Sequence, residues 1–137
     1  MRKIIFRGKR VDNGEWILGS LIKVRMGRVI SWIIFKSDFA VKGDGVKSLG
    51  HARVDPETVG QCTGLKDMNG KWIFEGDIVR NGKENGKIEY SETEAVFQVV
   101  FDVWLTDFGH YYGAEFEVVG NIHDNPELLE GGEDREE

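Results

Sequence analysis

Gly64-Leu65-Lys66-Asp67-Met68-Asn69-Gly70-Lys71-Trp72-Ile73-Phe74 reads as two short strands folded back on one another. Asn69-Gly70 supplies the positive φ angles that a tight reversal requires, and Asp67 can brace the turn through its side chain. The same punctuation recurs in both directions from this hairpin. Asn13-Gly14 separates the strand-like residues 4–11 from Trp16-Ile17-Leu18. Met26-Gly27 separates residues 21–24 from residues 29–35, and Asn81-Gly82 with Asn85-Gly86 brackets a reversal ahead of Ile88-Glu89-Tyr90. Eighteen glycines in 137 residues work against long helices, because each interior Gly costs roughly 1 kcal/mol relative to Ala. The pattern predicts an all-β chain.

Two later segments alternate at the strand period. Phe97, Val99, Phe101, Val103 and Leu105 fall on one face, opposite Gln98 and Asp102. Ala114, Phe116 and Val118 repeat the pattern opposite Glu115 and Glu117, with residues 106–110 as the connecting loop. A short helix is expected only from Pro126 onward, with Asn125 as its cap and Glu127 at the positive end of its dipole. Residues 29–35 differ: Val29, Ile33 and Phe35 lie on one strand face, Ile30, Trp32 and Ile34 on the other. A strand apolar on both sides must be covered on both, by another part of the chain or by a second copy. Ile30, Trp32 and Ile34 are therefore the candidate self-association residues, and a homo-oligomer is expected. Residues 42–50, rich in Gly and Lys, read as an exposed loop between an N-terminal portion, 1–55, and a C-terminal portion, 56–130. Residues 131–137 are expected to be a disordered acidic tail.

Composition narrows the function classes. The formal net charge is -6 and 31% of residues are charged, as in soluble globular proteins. No apolar run reaches the roughly 20 residues of a membrane span, and the N-terminus returns to charge too early for a signal peptide. A single cysteine, Cys62, excludes an internal disulfide and fits a reducing cytoplasm. His51, His110 and His123 lie far apart, so no metal or other cofactor is expected. Glu75 and Asp77 share a strand face without a fixed catalytic separation, and no nucleophile elbow or phosphate loop is present. The opposite charge appears at the start, where Arg2, Lys3, Arg7, Lys9 and Arg10 form a candidate nucleic-acid patch, to which Lys42 and Lys47 are candidate additions. Such a patch needs aromatic platforms to be persuasive. Trp16, Trp32, Trp72, Trp104, Tyr111 and Tyr112 are the aromatics available; Trp32 and Trp72 sit in apolar strands where burial is the ordinary role, and Tyr111-Tyr112, beside Gly109 and Gly113, is the better surface candidate.

The stretch from Thr63 to Val79 resembles the core of the YopX family of phage- and prophage-associated proteins, T-G-L-x-D-x-N-G-x-x-I-[YF]-E-G-D-I-V, at every fixed position. A second match runs from Val118-Val119-Gly120-Asn121-Ile122 to Asn125-Pro126-Glu127-Leu128-Leu129, like the family's closing V-x-G-N-I-x-x-N-P-E-L-L. Arg7-Gly8-Lys9 is similar to its N-terminal strand. The resemblance implies an SH3-like barrel for the C-terminal portion, with an intertwined β-rich N-terminal portion. It implies no enzymatic activity, and residues 25–53 match none of its landmarks. The function expected is a non-catalytic accessory protein that docks a host or phage protein or another copy of itself. The alternative is a small nucleic-acid-binding barrel, with an enzyme a remote third.

Overall fold

A computed structural model describes residues 4–36, 50–82, 84–101, 105–107 and 115–130. The described residues form eleven strands, one 3-10 turn and one short helix. All pairings are antiparallel, so the chain is all-β as its glycine punctuation predicts. It divides into two compact units, the boundary falling between Gln61 and Cys62.

The first unit holds β1 (Phe6–Lys9), β2 (Trp16–Met26), β3 (Val29–Lys36) and β4 (His51–Arg53), followed by a 3-10 turn at Pro56–Thr58. Gly14, at φ +76°, makes the first reversal, where the Gly14 N–H donates to Arg10 O. The strand after it runs unbroken through Gly19, because that glycine is buried within the ladder rather than turning it. The second reversal joins Met26 to Val29 through Gly27-Arg28. Gly27, at φ +65°, holds the first central position, where a β-carbon would be strained. After β4 the chain continues along the edge of β3, Val54 N–H donating to Trp32 O at 2.9 Å. Its other side meets the end of β1: Val11 N–H donates to Arg53 O, Asp55 N–H donates to Lys9 O, and Val54 bridges Arg10. This curls the sheet around Ile17, Ile34, Ala52 and Val54, against which Phe6, Leu21, Trp32 and Val59 pack. Gly8 lies opposite Ile17, and a β-carbon there would stand 3.0 Å from Val54 Cβ.

β5 (Gly60–Lys66) passes from one unit to the next: Gly60 and Gln61 pair with β1, Cys62 and Lys66 with β6 (Trp72–Phe74). The second unit continues with β7 (Asp77–Asn81), β8 (Glu84–Ser91), β9 (Val96–Val100), β10 (Leu105–Asp107), β11 (Glu117–Asn121) and α1 (Glu127–Glu130). Its sheet has the order β10-β9-β8-β7-β11. No pairing among the described residues joins β10 to β11, the two edges of this sheet. Ile73, Val79, Ile88, Val99, Phe101 and Phe116 form its core.

Two local expectations shift. The alternating run from Phe97 to Leu105 is two strands, β9 and β10, with Leu105 pairing back on Val100. Alternation records which face a side chain takes and is blind to a reversal that uses neither Gly nor Pro. Asn85-Gly86 lies inside β8 rather than in a turn, because Gly86 faces the core, where a β-carbon would meet Val99 Cγ1 at 2.9 Å. The expected tail at residues 131–137 and most of the loop at 42–50 lie outside the described residues.

Candidate interaction surface

The motif residues of the second unit are occupied in holding the chain together. Asp67 is buried. Its Oδ1 accepts from Asn69 N–H at 2.8 Å and Lys71 N–H at 2.9 Å, and its Oδ2 accepts from Val118 N–H at 2.9 Å. Burial alone would raise its pKa; the three backbone donors, led by Val118, together with the Lys71 charge outweigh it and hold the carboxyl below its ordinary value. Asp77 is buried and accepts from Phe74 N–H at 2.8 Å. Gly76, at φ +93°, donates to Ile88 O and accepts from Ile122 N–H. The closing motif is equally tied. Asn121 Oδ1 accepts from the His123 and Asp124 N–H groups, and Asn125 Oδ1 accepts from Asn121 N–H. The Asn125 side chain thus turns back to β11, and it is the Asn125 carbonyl that accepts the Leu128 N–H of the helix. A β-carbon on Gly120 would stand 2.7 Å from Asn125 Oδ1. Thr63 Oγ1 donates to Ile73 O, and Cys62 is a buried thiol. Among the described residues, no three His, Cys, Asp or Glu side chains are grouped as metal ligands.

The predicted basic patch lies in the first unit. Of its residues, Arg2 and Lys3 lie outside the described ones. Arg7 and Lys9 project from one face of β1 over Trp16, with the guanidinium carbon 4.8 Å and the ammonium 5.5 Å from the ring centre. Register explains this, since Lys9 pairs directly with Trp16. Arg10 is held by Asp12 in a two-point ion pair of 2.9 and 2.7 Å, which lowers the Asp12 pKa and raises that of Arg10. Its charge is largely answered locally. The same cross-strand logic sets Lys23 opposite Trp32, 4.1 Å from the ring centre. An open cleft of about 650 Å³ runs beside the first turn, lined by Lys9, Arg10, Arg53, Trp32 and Asp55 among others. Asp55 is spoken for there, its Oδ1 accepting from Glu57 N–H.

The candidate self-association residues separate. Ile34 is fully buried in the unit's own core, Trp32 packs on that core beneath Lys23, and Ile30 is 48% exposed near the far end of the hairpin. The sheet's opposite face is the open one. Ile22 and Phe35 are 46% and 43% exposed there, with Phe35 stacked on His51. Strand alternation puts Leu18, Val24 and Ile33 on that same side.

The unit boundary exposes a signal that reading for clusters of bases overlooks. Residues 1–61 carry twelve Lys and Arg against six Asp and Glu; residues 62–137 carry six against eighteen. The net charges are +6 and -12, which together give the total of -6. From Trp16 through Lys36 no acid occurs, while Lys23, Arg25, Arg28 and Lys36 do. That gap is visible in the sequence alone and marks residues, Arg25 and Arg28 above all, outside the N-terminal cluster.

The sequence pattern of the YopX protein family matches residues 5–130. The chain belongs to the YopX family. Its fold is similar to the crystal structure of protein EF1440 from Enterococcus faecalis, with 25% sequence identity and a TM-score of 0.60, over 94% of this chain and 99% of that one. No functionally curated protein matches the chain significantly. YopX motif residues, on the geometry above, are those that satisfy backbone donors and admit close packing in the second unit.

Proposed function

We propose that this YopX protein is a phage- or prophage-associated accessory protein that performs no bond chemistry and binds nucleic acid through its N-terminal unit. The observation that carries the reading is the division of charge, +6 over residues 1–61 against -12 over the rest. A local positive field attracts phosphate whatever the sign of the whole molecule. Support for the absence of catalysis comes from the motif carboxylates, Asp67 and Asp77, whose oxygens accept backbone N–H groups. The test is fluorescence anisotropy with an end-labelled 30-base-pair DNA at about 50 mM salt, repeated as salt rises. Binding that weakens linearly on a log–log plot is expected. No binding at the lowest salt rejects the reading.

A second reading is docking between copies of the chain, favoured by the exposure of Ile22 and Phe35. The opposite charges of the two units suit a head-to-tail pair, in which the second unit of one copy faces the first of another. Ile22→Asp with Phe35→Asp should then lower the mass seen by sedimentation without nucleic acid. A monomeric wild-type protein would dispose of this reading.

A further inference from the structure

We infer that the β2–β3 hairpin is an arm that enters a groove of duplex DNA and wedges its aliphatic tip between base pairs, bending the duplex. This rests on the nucleic-acid reading above and names the form of nucleic acid and the residues that meet it.

The argument begins with what pairs with the hairpin. β1 reaches β2 only as far as Phe6 opposite Gly19. On the other edge, β4 covers β3 at residues 33–35, and Trp32 O receives the Val54 N–H. Beyond those points no described residue pairs with the hairpin. Val24–Ser31, Arg25–Ile30 and Met26–Val29 pair only with one another, closed by Gly27-Arg28. At about 3.4 Å per residue this ribbon projects roughly 10 Å beyond its last support. A two-stranded ribbon is one of the shapes that a duplex groove admits.

The side chains give the ribbon its chemistry. Met26 and Val29, at the tip, are 72% and 63% exposed, and Ile30 is next to them. Arg25 and Arg28 flank them, exposed and engaged in no ion pair with the described residues. Apolar side chains between arginines are the equipment of proteins that unstack a base step and hold the flanking phosphates. Charge complementarity favours nucleic acid over an ordinary protein partner, because the whole 21-residue hairpin lacks an acid. Single strands are disfavoured for a separate reason. They bind by stacking on aromatic rings, whereas the tip is aliphatic and cations already stand over Trp16 and Trp32.

The test uses the full chain, a 30-base-pair DNA with a fluorescent donor and acceptor at its ends, and one strand of that DNA alone. Wild-type protein should bind the duplex in preference and bring the dyes closer. Arg25→Ala with Arg28→Ala should weaken duplex binding at least about tenfold at low salt, and reduce the log–log salt slope by about two. Met26→Ser with Val29→Ser should keep most of the affinity yet leave the dyes near their free separation. Circular dichroism of both variants should match wild type, as expected for exposed positions. Unchanged slope in the arginine variant, unchanged bending in the tip variant, or preference for the single strand overturns the arm while leaving DNA binding intact. Failure of wild-type protein to bind either probe overturns both the arm and the reading beneath it. A change of protein mass in the tip variant without DNA makes the hairpin a surface between copies and likewise overturns the inference.

Discussion

Asp67 is the residue on which the second unit depends most visibly. Its two oxygens serve Asn69, Lys71 and Val118, so one side chain fixes the β5–β6 turn and the start of β11 together. Replacement by Asn keeps a carbonyl for one side but sets an amide NH2 against a backbone N–H on the other. Asp67→Asn should cost about 2–3 kcal/mol in urea unfolding, the penalty for a buried donor left unmet. The pH dependence follows from the depressed carboxyl pKa. A lowered folded-state pKa gives stability that is present above the unfolded value, near 3.8, and is lost as pH falls through the folded one. Wild type should therefore lose its advantage over Asp67→Asn progressively below about pH 4, and a constant gap between the two would exclude the carboxylate as its source. The turn-bracing role of Asp67 is legible in the sequence, because Asx side chains commonly serve the backbone two residues on. The bond to Val118 is not, since nothing local to either residue announces a partner 51 positions away.

At the scale of the element, β3 teaches what strand patterning can and cannot say. The sequence marks residues 29–35 as apolar on both faces, and the structure gives those faces different fates. Ile34 belongs to a core with Ile17, Ala52 and Val54, while Phe35 stands 43% exposed on the other side. Ile34→Ala should destabilise by about 2–5 kcal/mol, as for a buried aliphatic side chain, and Phe35→Ala by less than about 1.5 kcal/mol. Equal costs, read by thermal or urea unfolding, would mean that the second face is buried after all. Period-two alternation finds a strand and sorts its residues into two sets. Which set faces inward depends on strands far along the chain, here β4 and its extension through Val54, and those carry no marker of their own in the sequence. The same limit explains β9 and β10, which share a pattern and lie on either side of a reversal.

The whole molecule is electrically divided, and that division was readable once the boundary at Gln61 and Cys62 was known. Net charge alone, with a sequence pI near 5.1, describes a protein that a cation exchanger should ignore at pH 7. A net +6 over residues 1–61 predicts retention on such a resin at low salt, with earlier elution when Arg25 and Arg28 are replaced by Ala. Passage straight through the column would show that the acidic half governs the field everywhere. No helix among the described residues is long and apolar enough to cross a membrane. The bond between Asp67 and Val118 has one more consequence, for synthesis rather than function. A nascent chain emerging from the ribosome exposes Asp67 well before Val118, 51 positions on, so its buried site cannot be completed until Val118 has also emerged. Folding of the second unit should accordingly wait until Val118 is available, and chains stalled short of it should be the ones that proteases take.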